Sequence, residues 1–176
     1  MKYLFSTIFL LLVVIMAMLN FKAHSDEVKC LALNIYHEAR NQPLVGKLAV
    51  AQVTINRVND NRFPNSVCAV VRQGFYYNQS PIKNRCQFSW WCDGKSDKPK
   101  DKVSWQQIQI LAYNIHTGFF NGIDLVQGAT HYHANYVKPY WINNKIKVRV
   151  IADHVFYKWE KWIIITAKIV ANLLKV

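Results

Sequence analysis

The sequence predicts a mainly helical α+β domain that carries a small antiparallel β-sheet. Three observations predict it. Apolar residues recur at helical spacing over residues 27–40, 44–58 and 101–119. The segment "KIKVRVI" at 145–151 alternates charged and β-branched residues, as a half-exposed strand does. The chain has 176 residues, enough for one compact core and too few for two ordinary ones.

Residues 1–25 read as a targeting segment rather than part of the fold. Lys2 precedes the uncharged apolar run "YLFSTIFLLLVVIMAML", and Ala23 and Ser25 stand where small residues precede a cleavage point. A secretory signal is the first reading. An N-terminal membrane anchor is the alternative, because the run from Tyr3 to Leu19 is nearly long enough to span a bilayer. The domain itself is expected over 26–158.

In the first domain helix, Val28, Leu31, Ala32, Ile35 and Ala39 form one stripe. Ser25 or Asp26 can cap its start. Asn41, able to adopt a left-handed conformation, and Pro43 can end it. Over 44–58, Leu44, Leu48, Ala51, Ile55 and Val58 form a stripe that Val45, Ala49, Val50 and Val53 widen. A helix apolar on most sides is expected at the centre of the domain. A short helix is expected over 67–73, after "FPNS". Residues 74–100, rich in Asn, Ser, Lys, Gly and Pro, read as a long loop around "CQFSWWCDG". From Asp101 a further helix has the stripe Ile108, Leu111, Ala112, Ile115 and Phe119, with Gly118 and Gly122 to end it. "GATHYHA" reads as a short extended piece. An Asn143-Asn144 turn opens the strand at 145–151, which continues into "ADHVFYKW". Residues 159–176 read as a cationic amphipathic helix, packed on the domain or lying on a membrane.

The whole chain has a formal net charge of +12. Without residues 1–25, which hold Lys2, Lys22 and no acid, 20 basic and 10 acidic side chains leave +10. Such a surface favours an anionic partner: nucleic acid, anionic lipid or a wall polymer. Export argues against nucleic acid, and the charges form no dense basic block. Cys30, Cys68, Cys86 and Cys92 make an even count behind an export signal, which suggests two disulfides in an oxidising compartment. Their spacing lacks the C-x2-C pairs of a zinc knuckle. Three pairings are open; the expected one is a local Cys86–Cys92 clip with a longer Cys30–Cys68 tie.

The chemistry concentrates on Glu38. It falls on the flank of the first helical stripe, and Arg40, two residues on, points elsewhere. A carboxyl beside apolar groups without a fixed cation has a raised pKa, which suits a general acid at neutral pH. A helix-edge glutamate is by default a surface charge. Against that default stands scarcity: the chain has only three glutamates, and Glu27 and Glu160 lie near the ends of the domain. His131 and His133 share a face if 131–134 is a strand, and His154 follows on another extended segment. With Asp153 they could make a zinc site, yet no H-E-x-x-H-type spacing supports it. Lining a polar groove is the preferred reading. Phe88, Trp90, Trp91, Tyr132, Tyr136, Tyr140 and Trp141 gather in loops and extended segments, where aromatic faces can stack on sugar rings. No G-x-S-x-G or Gly-rich phosphate loop occurs.

These blocks together, "CLALNIYHEARNQPLVGKLAVAQVTINRV", "FPNSVCAVV", "CQFSWWCDG", "GATHYHA" and "IADHVFY", resemble the SleB/CwlJ-type cell wall hydrolases, named for spore-cortex-lytic enzymes. The resemblance runs from about Cys30 to Tyr157. It implies a reduced lysozyme-like fold and cleavage of peptidoglycan glycan strands by a lytic transglycosylase, with Glu38 as general acid and base. Gln87, Phe88, Ser89, Trp90, His131, Tyr132, His133, Trp141 and His154 are expected to bind or orient the sugars. No metal or cofactor, a monomer, and a periplasmic or secreted location follow as expectations. The cysteines match a pattern common in exported members. Two departures stand out: "NQP" at 41–43 where members often read "GEP", and Ala152 where members often have Gly. Asp93 and Asp153 are the carboxylates to consider for a water-using variant. Two other function classes stay open: a zinc-dependent wall amidase using His131, His133 and His154, and a non-catalytic cationic wall- or membrane-binding protein.

Overall fold

The computed structural model describes residues 2–159. The expected C-terminal helix lies outside the described residues, except that Trp159 ends a strand. The first helix, α1, runs unbroken from Lys2 to Ala39. No residue near Ser25 or Asp26 caps a new start, because nothing between 20 and 30 is Pro or Gly and the helix simply continues. Residues 7–26 of α1 are exposed, with His24 touching the rings of Tyr113 and His116, and partial burial begins at Glu27. The apolar half of the helix therefore projects from the domain, long and apolar enough to cross a membrane, a test that a signal sequence also meets.

At its other end α1 stops at Ala39 without a left-handed residue. Asn41 is not among the positive-φ positions; the turn is closed instead by the Gln42 amide donating to the Ala39 carbonyl at 2.9 Å. Pro43 then opens α2, Leu44–Val58. This helix is central, as expected, but its buried face is Ala49, Val50, Val53, Thr54 and Arg57. Leu44, at the first turn, is 60% exposed. One side of α2 packs with α1, α3 (Val67–Val71) and α4 (Lys102–His116) around Leu31, Ile35, Val70 and Ile108. Its other side, through Ala49 and Val53, meets Val126, Ile151 and Phe156 of the sheet half. Buried apolar surface of this kind stabilises at roughly 25 cal/mol per Å².

The expected disulfides both form. Cys30–Cys68 joins α1 to α3, and Cys86–Cys92 closes the loop that ends in a 3-10 turn at Ser89–Cys92. The start of α3 is capped twice: Ser66 accepts from the Ala69 amide, and Glu27 of α1 accepts from the amides of Val67 and Cys68. The start of α4 is capped by Asp101, and Gly118, at φ +86°, takes the chain away after His116. Phe119 lies beyond the helix and is 77% exposed rather than on its buried stripe.

Residues 74–100 are not all loop. β1 (Gly74–Tyr77) and β2 (Ser80–Cys86) form an antiparallel hairpin whose turn residues Asn78 and Gln79 both have positive φ. Gly74 is required there: a Cβ would lie 2.9 Å from Cys86 Sγ. The second sheet has the order β3-β5-β4, with β3 His131–Ala134, β4 Lys145–Ile151 and β5 His154–Trp159, all antiparallel. A 3-10 turn at Tyr140–Asn144 leads into β4.

Candidate active site

The end of α1 delivers Glu38 to a cleft of about 380 Å³ between the helical and sheet halves. The wall opposite is set by α2. Its Gln52 accepts from the Leu125 amide, its Asn56 donates to the Ala129 carbonyl, and its Arg57 Nε donates to the Thr130 carbonyl at 2.7 Å. These three bonds run along the segment that becomes β3 and fix where β3 begins. Tyr132 then reaches across, and its hydroxyl donates to Glu38 Oε2 at 3.0 Å. The third wall is the 3-10 turn. Trp90 Nε1 donates to Asn34 Oδ1 and Asn34 Nδ2 donates to Thr54 Oγ1, a buried chain that locks the turn to α1 and α2. The Trp90 ring is also stacked on His37, with centroids 4.4 Å apart.

Burial is the largest influence on Glu38 and holds its carboxyl above the usual carboxylate range; the Tyr132 hydroxyl and the charge of Arg57 pull it partly back. Burial and the neighbouring Glu38 charge push Tyr132 well above the ordinary phenol value, so it stays a proton donor in this bond. Arg57 itself is 5% exposed. Its guanidinium lies over the rings of Phe88 and Phe63, at 5.0 and 5.3 Å. Arg40, by contrast, lies over the Tyr36 ring.

Of the residues expected at the site, Gln87, Phe88, Ser89, Trp90, Tyr132, His133 and His154 line the cleft with Glu38. Phe88 and Trp90 are largely buried and form its floor. His131 and Trp141, expected there too, do not line it. Tyr132 faces Glu38, so its neighbour His131 points to the opposite face of β3. There it meets Trp141, Trp159 and Phe63, with Thr130 Oγ1 at 2.9 Å. Burial, aided by Lys145 and Arg57, lowers the pKa of His131 to about 3. His133 shares that face but sits near the strand's end, bonded to Tyr157 and still at the cleft's edge. His154 is buried against Tyr132 and Phe156. The three histidines thus keep different company, and among the described residues no group of three His, Cys, Asp or Glu could hold a metal ion.

Asp153 and Asp93 are both committed elsewhere. Gln42 donates to the Asp153 carboxylate at 3.0 Å and accepts from its amide, while Asp93 accepts from the Lys95 amide. Glu38 is the only carboxylate among the described residues lining the cleft. Four cleft residues were not among those expected: His37, Arg57, Ala134 and Tyr136. Tyr136 did appear in the aromatic group. Arg57 left a signal of its own, a charged residue in the last turn of a helix apolar on most sides.

Glu38, its pKa raised by burial, thus sits in a cleft walled in part by the rings of Phe88, Trp90, Tyr132 and Tyr136. The cell wall hydrolase family model matches residues 41–157, and the chain belongs to that family. It is 27% identical over 132 residues to a spore cortex-lytic enzyme of Halalkalibacterium halodurans, covering 74% of this chain and 34% of that one. A spore cortex-lytic enzyme of Bacillus subtilis is 43% identical over 47 residues, 27% of this chain and 15% of its own. The chain spans about a third of the first relative's length. Among solved structures it is similar to the catalytic domain of Bacillus cereus SleB, with a TM-score of 0.52, 25% identity, 75% of this chain and 89% of that one. The catalytic domain of the germination-specific lytic transglycosylase SleB of Bacillus anthracis matches with the same TM-score and identity, covering 93% of that chain. The fold is therefore the lysozyme-like α+β fold of those domains. The family match begins just after Glu38.

Proposed function

We propose that this protein cleaves peptidoglycan glycan strands as a lytic transglycosylase, with Glu38 as both acid and base. The observation that carries the reading is the solitude of Glu38 in its cleft. Ordinary glycosidases use two carboxylates, one as acid and one as nucleophile or base. Here one carboxyl with a raised pKa faces the space where a sugar would lie, and among the described residues no second one lines it. A muramic acid residue can supply the missing nucleophile itself. Glu38 gives its proton to the oxygen linking N-acetylmuramic acid to N-acetylglucosamine, and the C1–O bond breaks with its electrons leaving on that oxygen. The Glu38 carboxylate then takes the proton of the muramic C6 hydroxyl as that oxygen bonds to C1, leaving a 1,6-anhydro end.

The remaining walls suit a glycan. Phe88, Trp90 and Tyr136 present ring faces, and Gln87, Ser89 and His133 present polar atoms that can orient hydroxyl and acetamido groups. The partner is the glycan strand, met as a monomer in the periplasm or outside the cell after export through the apolar start of α1. The segment 159–176 is a candidate for additional membrane contact. The test is digestion of purified peptidoglycan by wild type and Glu38→Gln, with and without chelator, and identification of the fragments by mass spectrometry. Anhydro-muramic fragments that vanish in Glu38→Gln and survive chelation support the reading. Released stem peptides, or activity lost to chelator alone, would point to the metal-dependent amidase. Undiminished activity of Glu38→Gln would remove Glu38 from the chemistry.

A further inference from the structure

Arg57 is an unusual thing to bury. It is 5% exposed, at the end of the helix that runs through the middle of the core. One of its donors is used, Nε on the Thr130 carbonyl. Another, Nη1, is buried with no acceptor. An unfilled charged donor in a core is costly, so its retention calls for a purpose. Yet Arg57 makes no ion pair within 4 Å; the pairs among the described residues are Arg62–Asp60 and Lys95–Asp93. It lines the same cleft as Glu38, whose carboxyl is held by the Tyr132 hydroxyl and feels the guanidinium only through space.

We propose that Arg57 is a counter-charge held in reserve for Glu38: it stands off while Glu38 carries its proton, and pairs through its free Nη1, directly or through the Tyr132 oxygen, once Glu38 has given that proton away. This deepens the proposed function, and rests on it for its catalytic meaning. A direct ion pair in the resting protein would hold Glu38 ionised and useless as an acid. A cleft without any cation would leave the carboxylate too unstable to form. A cation that lines the same cleft without an ion pair to Glu38, held by the Phe63 and Phe88 rings and the Thr130 carbonyl, allows both states. The other groups facing Glu38 cannot take this part. His37 of α1 has its Nε2 at the Asp97 carbonyl, His133 of β3 is bonded to Tyr157, and His154 of β5 is held neutral by burial. Tyr132 is a neutral donor, and Gln87 and Ser89 carry no charge. Arg57 acts through Glu38 and is thus a positioning residue.

The test uses the full-length protein in two ways. In wild type, carbon NMR of the Glu38 carboxyl and nitrogen NMR of the Arg57 side chain are followed against pH. The Arg57 signals are expected to shift with the same midpoint as Glu38; an Arg57 that does not respond as Glu38 ionises overturns the proposal, and no variant needs to fold for that result. In Arg57→Gln, the Glu38 midpoint is expected to rise by about one to two pH units and kcat on purified peptidoglycan to fall at least about tenfold, with KM little changed. Arg57→Lys should restore most of both. An Arg57→Gln protein that folds and keeps the wild-type midpoint also overturns the proposal. Failure of the wild type to cut glycan would instead sink the transglycosylase reading, while the two titrations would still report whether Arg57 answers Glu38.

Discussion

Helix α1 carries two glutamates eleven residues apart, Glu27 and Glu38, on nearly the same face. Their fates differ. Glu27 accepts two backbone amides at the start of α3 through one carboxylate oxygen, beside the Cys30–Cys68 disulfide. Glu38 receives one hydroxyl, at the edge of a cleft, with a buried arginine near but not touching. A carboxylate bound to two backbone amides holds a fold together; one held by a single hydroxyl in a cleft is available for chemistry. Partners, not helical position, distinguish the two.

Exchange of the two glutamates' roles should be the sharpest break. Glu38→Gln should lower glycan cleavage by about a thousandfold while circular dichroism shows an intact fold. Glu27→Ala should leave the cleavage rate of the folded protein unchanged but cost about 1 kcal/mol of stability in denaturant titration, as the loss of a helix cap does. If Glu27→Ala were the inactive, well-folded variant, the distinction would be wrong. A smaller effect is expected at the single partner of Glu38. Tyr132→Phe should reduce kcat about fivefold, the worth of one hydrogen bond. Because that bond lowers the Glu38 pKa, its loss should move the alkaline fall of the activity profile to higher pH.

The pH dependence of stability sharpens the contrast further. Glu38 binds its proton more tightly folded than unfolded, so its contribution is fully present below the unfolded carboxyl pKa and is lost as pH rises through the folded one. Glu38→Gln, which does not titrate, should therefore melt a few degrees above wild type at neutral pH, with the gap closing near pH 4. The smallest effect lies at the turn that Gln42 grips. Ala152 has φ +50°, where glycine is at ease, so Ala152→Gly should change stability by about +0.5 kcal/mol or less, read as a shift in the denaturant midpoint with activity unaltered.

Much of this was legible in the sequence where burial leaves a period. The helices at 44–58 and from 102, the strand at 145–151 and both disulfides follow from patterning and spacing. The β1–β2 hairpin did not show, because its strands are exposed on both faces and its turn uses Asn78-Gln79 instead of a Gly pair. Glu38 could be singled out by scarcity, but not by its surroundings, which come from Tyr132, 94 residues away. Arg57 was missed because helical periodicity counts apolar residues and is blind to a charge that the core admits. The place of His131 was not legible for a simpler reason: alternation puts it on one face of β3 and Tyr132 on the other, and only the fold says which face meets Glu38. The departure "NQP" also gains a physical reason. An amide at position 42 can donate to the Asp153 carboxylate and accept from its backbone, whereas a glutamate there would set two anions together.

The central claim is that one carboxyl gives and takes the proton while the substrate supplies the nucleophile. Its most direct test is digestion of purified peptidoglycan in water enriched in heavy oxygen, with prompt mass spectrometry of the new muramic ends. The account predicts ends lighter than a reducing sugar by one water and free of heavy oxygen. Reducing muramic ends that carry the heavy isotope would show that water, not the C6 hydroxyl, attacked C1, and would contradict it.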